Sequence, residues 1–335
     1  MKKILVTGGF GFIGTTLVDL LLQDNTNKVH VVDDMSTASI DINDYISQIS
    51  NSSSLSYDIS TVENFFTKGA GPGDWDEIYH LASPVGPAGV LKHAGNMVRE
   101  VVRDAYLISD YCLLRNIKFL DVSTSEIYGG GQSGYCPEST PKIVPAITTV
   151  RLEYAIAKLA AETAIINTCR AKNLNSTIIR PFNVSGPRQS PKGGFVLPRF
   201  IQQAVNNKPI TVFNDGSAVR AFTHVNDMAR GIILGMNNGK IGEAYNIGNP
   251  SNKTTILELA QRVIKVLNSK SEIIFVDPKK IYGETYEEAN DKFPDAEKAK
   301  LELGWVPEFD IDRTILDATN EYTRQLKEGI LKHHI

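Results

Sequence analysis

The amino-acid sequence predicts an α/β fold built on a mostly parallel β-sheet, with a smaller α/β part toward the C-terminus. Short apolar runs alternate with longer amphipathic segments through the first half of the chain, which is typical of strand-helix-strand units. A glycine-rich segment separates the first strand from the first helix, and Pro and Gly crowd the chain after residue 180. These three observations assign the main sheet to residues 1–180.

The elements of this sheet follow from local periodicity. The predicted strands are short and apolar, and they lie at Ile4–Thr7, Val29–Val32, Leu55–Tyr57, Glu77–Leu81, Lys118–Val122 and Thr177–Ile179. The helices repeat apolar residues at spacings of three and four, and they lie around Ile13–Leu21, Met97–Leu114 and Glu153–Arg170. Helices of this kind can make the right-handed crossovers that parallel strands require.

Residues 181–335 are expected to form mainly a second, ligand-binding domain. Prolines and glycines between Pro181 and Pro198 exclude a long regular element there. Beyond them the pattern predicts helices near Arg199–Asn206, at Ile256–Leu267 and from about Asp312, and a strand at Ile210–Phe213. A segment near residues 221–245 is expected to return to the first domain.

The composition restricts the classes of function. The chain has 335 residues, of which 42% are hydrophobic and 22% charged, and a formal net charge of -3. This balance supplies a sizeable core but no positive field for a polyanion, so we expect no nucleic-acid partner. Three cysteines without a Cys-x-x-Cys spacing favour a reducing cytoplasm over disulfides or zinc, and we expect no metal. No apolar stretch approaches the ~18 residues of a membrane span.

The glycine-rich segment carries the clearest binding signal. Gly8, Gly11 and Gly14 stand where the first strand meets the first helix, so the amides of Phe12 and Ile13 can face a pyrophosphate. Gly8 permits a tight turn, Gly11 lets phosphates approach the backbone, and Gly14 allows close packing of helix on strand. A sharp turn with no ligand is the alternative, but the strand before, the helix after and an acid downstream favour a Rossmann-type dinucleotide site.

Two acidic positions extend this predicted site. Asp33 ends the second strand, where a carboxylate can bind the ribose hydroxyls of adenosine and repel a 2'-phosphate, so the sequence predicts NAD rather than NADP. Its neighbour Asp34 is the alternative for this role. Asp58 and Ile59 end the third strand, and they either recognise adenine or form a turn capped by the aspartate.

A catalytic constellation follows further along the chain. Tyr154 and Lys158 are four residues apart in a predicted helix and share one face, so we expect the ammonium to lower the pKa of the phenol. Upstream, the strand Lys118–Val122 is followed by Thr124, Ser125 and Glu126, at the edge of the sheet where ligands bind.

These segments together resemble the extended short-chain dehydrogenase/reductases that act on nucleotide-sugars. The resemblance covers the glycine loop, His80–Pro84, Ser123–Gly129, Tyr154–Lys158, Arg180–Asn183, Gly186–Arg188, Gly216–Arg220, Tyr245–Pro250 and Leu303–Trp305. It implies a doubly wound sheet, bound NAD, a UDP-linked nucleotide-sugar as substrate, and a homodimer.

The resemblance also implies roles for individual residues. Tyr154 would take a proton from the C4 hydroxyl of the sugar, Thr124 would hydrogen-bond the same oxygen, and Lys158 would hold the nicotinamide ribose. Leu81 and Ala82 would line the cofactor. The positions implied to contact the substrate are Ser83, Ser125, Asn183, Arg188, Arg220 and Lys292.

Within the family, Thr124-Ser125-Glu126 is similar to the decarboxylases of UDP-glucuronate and the 4,6-dehydratases, in which an acid assists chemistry beyond C4. Two positions depart from the decarboxylase pattern: Val101 stands where the family has Asn, and Lys292 where it has Arg. Decarboxylation is therefore the leading hypothesis, followed by 4-epimerisation and 4,6-dehydration. A non-catalytic NAD-binding sensor is the alternative from another class, and the joint presence of Thr124, Tyr154 and Lys158 favours an enzyme.

Cofactor choice is the first testable prediction. Because the carboxylate of Asp33 opposes a phosphate dianion, equilibrium titration is expected to give much tighter binding of NAD than of NADP. Replacement of Asp33 by Ser is expected to narrow the difference. Equal affinities in the unaltered protein would contradict the role of Asp33.

Overall fold

The chain folds around one large parallel sheet. A computed structural model describes residues 1–38, 40–68, 73–129, 134–146, 148–282 and 291–330. Its strands, β1 to β15 in order, are Lys2–Thr7, Asn27–Asp33, Leu55–Ile59, Glu77–His80, Lys118–Val122, Gly134–Cys136, Ser176–Pro181, Val184–Ser185, Ile210–Phe213, Val219–Ala221, Thr223–His224, Ala244–Ile247, Lys253–Thr255, Ile273–Val276 and Lys292–Pro294.

Helices connect these strands and cover the sheet. In chain order, α1 to α11 are Phe12–Leu22, Ile42–Gln48, Val62–Thr67, Gly86–Lys92, Met97–Arg115, Val150–Lys172, Val196–Val205, Val225–Asn238, Ile256–Leu267, Lys279–Tyr282 and Ile311–Lys327. Helix α7 begins at Val196, earlier than predicted, because Pro198 falls in its first turn, where the missing N–H costs no intrahelical hydrogen bond.

The central sheet has seven strands in the order β12, β7, β5, β4, β1, β2 and β3, all paired in parallel. The order runs outward from β1 in both directions, which is the doubly wound arrangement. The predicted fold class is confirmed. All the carboxyl ends of these strands therefore lie at one edge of the sheet.

Two apolar layers cover the faces of the sheet. On one face, α1 and α8 bury Leu17 and Ile232 against strand residues that include Leu120 and Val122 of β5. On the other, α5 and α6 pack together over a layer that includes Phe119 of β5. Side chains alternate between faces along a strand, so residue 121 is directed to the α5 and α6 side.

The C-terminal part has its own core, formed by α7, α9 and α11 with β9. Helix α8 and strand β12 do not belong to it: α8 packs on α1, and β12 adds an edge strand to the central sheet by pairing with β7. Residues 225–247 thus return to the N-terminal half after the chain has left it.

A buried ion pair joins β7 to α6 beneath the sheet edge. The Arg180 Nε donates to Glu162 at 3.1 Å, a second nitrogen of the same guanidinium bonds the other carboxylate oxygen, and Nη1 donates to the Tyr128 hydroxyl at 2.8 Å. The side chains of Arg180 and Glu162 are 4% and 3% exposed, so neither charge has access to bulk water. Removing one partner leaves the other uncompensated.

We therefore expect Arg180→Met to lower the free energy of unfolding by about 3–5 kcal/mol, because Glu162 would remain buried without its cation. Arg313→Met is the matched control, since Arg313 also pairs with a carboxylate, Asp317, but is 62% exposed. The control is expected to cost less than about 1 kcal/mol. Urea unfolding measures both, and equal losses would contradict the assignment of the cost to burial.

Candidate active site

The glycine loop has the shape that a dinucleotide requires. Gly8 has a φ of 72°, and a Cβ there would lie 2.6 Å from the Ala82 backbone nitrogen. A Cβ at Gly14 would lie 2.1 Å from the Gly8 carbonyl oxygen, so both positions exclude a side chain. Gly11 is the N-cap of α1 and offers no side-chain cap, which leaves the first amides of the helix, from Phe12 and Ile13, available to an anion.

Asp33 lies beside this loop at the end of β2. Its carboxylate accepts hydrogen bonds from the amides of Phe10 at 2.9 Å and Met35 at 2.8 Å. Burial raises the pKa of Asp33, and these amides oppose the increase. The loop and the carboxylate are thus tied together by the Phe10 amide, in the arrangement expected for the adenosine end of NAD.

The predicted adenine position is at the end of β3. The Asp58 carboxylate lies 3.0 Å from His30 Nε2, and the Asp58 side chain is 53% exposed. Ile59 is 52% exposed, which is unusual for isoleucine in a strand. The arrangement is compatible with either interpretation of Asp58, and Ile59 offers an apolar surface beside it.

The segment after β4 packs against the glycine loop. The Leu81 amide donates to the Thr7 carbonyl at 3.0 Å, which holds Leu81 and Ala82 against the end of β1. Ser83 Oγ lies 3.4 Å from the Pro84 carbonyl oxygen. His80 is buried and its Nδ1 lies 2.6 Å from Thr7 Oγ1, so this histidine is part of the sheet edge.

The predicted catalytic residues converge after β5. Thr124 caps a short 3-10 helix, Ser125–Tyr128, by accepting from the Glu126 amide at 3.2 Å. The Thr124 side chain lies close enough to Tyr154 of α6 to oppose part of the increase in the pKa of its phenol. One turn further along α6, Lys158 Nζ donates to the Val122 carbonyl at 2.9 Å. Ser125 is buried in the same turn.

Glu126 links this centre to the C-terminal part. Its two oxygens bind different cations: Lys292 Nζ at 2.9 Å, and the Arg151 guanidinium at 2.7 Å. Strand β15 brings Lys292 there by pairing with β6. The side chain of Lys292 is only 6% exposed, so the predicted carboxylate-binding cation is buried next to the predicted catalytic acid.

The remaining predicted substrate residues are distributed around the loops between the two halves. Asn183 has a φ of 36°, and its side-chain nitrogen Nδ2 lies 3.4 Å from the Ala221 carbonyl oxygen. Arg220 Nη1 lies 3.2 Å from Asp291, the residue before Lys292. Arg188 is engaged elsewhere, because it pairs with Asp19 of α1 at 2.6 Å and lies over the ring of Tyr45. Its expected contact with a diphosphate stays a prediction.

The sequence profile of the NAD dependent epimerase/dehydratase family matches residues 4–248, which include the glycine loop, Thr124, Tyr154 and Lys158. The chain belongs to this family. UDP-glucuronic acid decarboxylase 6 of Arabidopsis thaliana is 33% identical over 306 residues, which are 91% of this chain and 84% of the relative. UDP-glucuronic acid decarboxylase 1 of Danio rerio is 30% identical over 335 residues, 100% of this chain and 76% of the relative.

A solved structure extends the comparison. UDP-glucuronic acid 4-epimerase from Bacillus cereus, in complex with UDP-glucuronic acid and NAD, is 26% identical and has a TM-score of 0.82. The match covers 96% of this chain and 99% of the epimerase. As a member of the NAD-dependent epimerase/dehydratase family, the chain is an enzyme whose cofactor is NAD.

The prediction that the Tyr154 phenol has a lowered pKa is wrong. The pKa of Tyr154 is raised, not lowered, because burial disfavours the phenolate and the charges of Glu126 and Asp121 add to the effect. Burial also lowers the pKa of Lys158. Helical spacing predicted that the two side chains share a face, but it carries no information about how deeply they are buried.

Sequence reasoning missed Arg151 in this epimerase/dehydratase site. Arg151 precedes Tyr154 by three residues in α6, so it lies on the same side of the helix one turn earlier. The three-residue spacing of Arg151 and Tyr154 was the feature of the sequence that could have identified Arg151. Among the described residues, no helix is long and apolar enough to cross a membrane, and no group of His, Cys, Asp and Glu is arranged to hold a metal ion.

The charges around Glu126 generate a pH prediction. Lys292 and Arg151 outweigh the effect of burial and lower the pKa of Glu126 to about 2, from an ordinary value of 4.5. A depressed pKa stabilises the fold above the ordinary value, and the stabilisation is lost as pH falls toward about 2. As the pH falls from about 5 to about 2, the free energy of unfolding of the unaltered protein is therefore expected to fall more steeply than that of Glu126→Gln. Parallel pH profiles from urea unfolding would contradict the ion pairs.

Proposed function

We propose that the enzyme decarboxylates a UDP-linked uronic acid, UDP-glucuronate, through a transient ketone at C4 of the sugar. The observation that carries the proposal is the buried Lys292, 2.9 Å from Glu126, beside the Thr124 and Tyr154 pair. A cation enclosed at this place is suited to a substrate carboxylate attached at C5. The UDP-glucuronic acid decarboxylases among the relatives support the same reaction.

Charge balance around Glu126 supports an anionic substrate. Arg151, Lys292 and Arg220 are close enough for each arginine to lower the pKa of the lysine, while Glu126 raises it. Among the described residues, the single carboxylate of Glu126 binds both Lys292 and Arg151, so this part of the site carries more positive than negative charge. A nucleoside diphosphate joined to a uronic acid carries negative charge at both ends, so it suits such a surface.

The residues that would hold NAD are the glycine loop, Asp33, Leu81 and Ala82, with Asp58 and Ile59 at the adenine end. The steric exclusion of side chains at Gly8 and Gly14 and the uncapped start of α1 fit a dinucleotide pyrophosphate. Bound there, NAD supplies the acceptor and later the donor of the hydride exchanged with C4.

Tyr154 then serves as the base that takes the proton of the C4 hydroxyl. The Thr124 side chain favours the phenolate of Tyr154, and its hydroxyl is proposed to bond the same substrate oxygen. Lys158 supplies positive charge behind the phenol. Because burial raises the pKa of Tyr154, this charge is needed to make the phenolate accessible.

Loss of CO2 follows from the position of the ketone. With oxygen doubly bonded at C4 and a carboxylate on C5, the electrons of the breaking C5–C6 bond pass into the carbonyl and give an enolate as CO2 leaves. A proton then returns to C5, and hydride returns to C4. Lys292 and Glu126 are proposed to position the carboxylate, with Ser83 and Ser125 near the sugar and Asn183, Arg188 and Arg220 assigned to the nucleotide diphosphate.

Epimerisation at C4 of the same substrate is the second candidate, because the Bacillus cereus structure with UDP-glucuronic acid is a 4-epimerase. The two reactions share the oxidation of C4 and differ in what the intermediate does next. Epimerisation needs the ketone to present its opposite face while C5 keeps its carboxylate. A tightly held carboxylate resists that rotation, which favours decarboxylation here.

We also propose a homodimer and a cytoplasmic location. Apolar side chains on α5 and α6 are exposed, with Val98 at 41%, Tyr106 at 51% and Ile156 at 37%, and a second copy of the chain would cover them. The three cysteines are free and buried, which is compatible with a reducing compartment.

The deciding experiment incubates the protein with NAD and UDP-glucuronate and follows CO2 release and the mass of the nucleotide-sugar. We expect CO2 and a UDP-pentose. An isomer of unchanged mass would establish epimerisation, and conversion only of neutral hexose nucleotides would favour 4,6-dehydration. The matched control is Tyr154→Phe, which is expected to bind NAD normally and to lose turnover by a factor on the order of 10²–10⁴.

A further inference from the structure

A buried carboxylate behind the catalytic pair has no role in the reaction described so far. Asp121 of β5 is 2% exposed, and its Oδ2 receives no hydrogen bond from any described residue. An ionised carboxylate without hydrogen-bond donors costs stability when it is buried. A leucine or asparagine would avoid that cost, so the charge itself calls for an explanation.

The strand directs Asp121 toward the catalytic helix. Phe119, two residues earlier on β5, packs in the layer between the sheet and helices α5 and α6, and Asp121 has the same orientation. Lys158 crosses from α6 to donate to the carbonyl of Val122, the next residue of β5. The carboxylate and the ammonium therefore approach one position at the end of β5 from two packed elements.

The other charged groups around this position are already paired or neutral. Glu162 of α6 is held by Arg180, and Asp104 of α5 is bound by the guanidinium of Arg103 at 3.0 Å. His80, opposite Asp121 on β4, is fully buried, and burial and the charge of Lys158 lower its pKa to about 3, so it is neutral. Among these described carboxylates, Asp121 forms no ion pair, and Lys158 is the cation whose charge acts on it.

Each of the two groups acts on the other. Burial raises the pKa of Asp121 to about 6, and Lys158 opposes the increase. Burial lowers the pKa of Lys158, while Asp121, ahead of Asp104, raises it. At neutral pH the carboxylate is thus mostly ionised, and its charge stabilises the ammonium against burial.

We propose that Asp121 is a positioning residue of the reaction: it is the counter-charge that keeps the buried Lys158 ammonium charged and in place beside Tyr154. The effect of Asp121 on turnover rests on the proposed function, whereas its interaction with Lys158 does not. Asp121 acts through Lys158 and does not contact the sugar. After burial and the charge of Glu126, the charge of Asp121 also raises the pKa of Tyr154, so it contributes to the pH at which the base forms.

Removal of the Asp121 charge is expected to lower the pKa of both Lys158 and Tyr154. Without the carboxylate, Lys158 loses its proton at lower pH because only Asp104 still opposes burial. Tyr154 also loses its proton at lower pH, because one of the negative charges that oppose the phenolate is gone. Both limbs of the pH profile of kcat/KM are therefore expected to move to lower pH.

The test titrates Lys158 directly in the full-length NAD complex, by NMR of protein labelled with 13C at lysine Cε. The resonance missing in Lys158→Arg identifies the residue. In Asp121→Asn we expect the titration midpoint to fall by about one pH unit, since one buried charge is removed nearby. Asp104→Asn is the matched control, and its shift is expected to be smaller because Arg103 already neutralises that carboxylate.

An unchanged or higher midpoint in Asp121→Asn, or a larger shift in Asp104→Asn, would overturn the proposal. Asp121→Ser provides a second variant without the charge, and thermal unfolding checks that both variants remain folded over the pH range of the titration. The pH profile with UDP-glucuronate then tests the effect on Tyr154. If the NMR midpoint falls but UDP-glucuronate is not converted, the pairing stands and the proposed substrate fails.

Discussion

The parallel pairing of the central strands is the constraint on which the active site depends. Parallel strands end at the same edge, and the register sets Thr7 opposite His80, and His80 opposite Asp121. The turns that follow these strands therefore meet, although they are far apart in the chain. The glycine loop, Asp33, the Leu81 segment and Thr124 all come within a few residues of a strand end. Helix α6, which crosses from β5 to β7, brings Tyr154 and Lys158 to the same edge.

The C-terminal part adds positive charge to the edge of the central sheet. Lys292 and Arg220 come from β15 and β10, outside the central sheet, and Lys292 contacts Glu126 in the short helix that follows β5. In the proposed function, the hydride and proton chemistry depends on residues at the sheet edge, whereas the choice among decarboxylation, epimerisation and dehydration depends on this contact. Enzymes with one fold can differ in reaction because a few such charges differ.

Much of this arrangement could be predicted from the sequence because its signals are local. Strand β5 has the predicted bounds, and Tyr154 and Lys158 occupy the predicted helix. The same helix starts at Val150, three residues before the prediction, because Thr149 caps it. The contact of Glu126 with Lys292 joins residues 166 apart, and that of Arg188 with Asp19 joins residues 169 apart. Such contacts, like the burial that raises the pKa of Tyr154, arise from tertiary packing, to which spacing gives no access.

The edge position of β12 has a consequence for the order in which the protein matures on the ribosome. Domains generally fold as their residues emerge, beginning at the N-terminus. Here β7 finds its outer neighbour only when residues 244–247 have been synthesised, and Glu126 meets its lysine only after residue 292. A nascent chain that ends between these two points holds a complete central sheet and an unfinished catalytic centre. The glycine loop and the seven strands of the central sheet are thus synthesised before the lysine that pairs with Glu126.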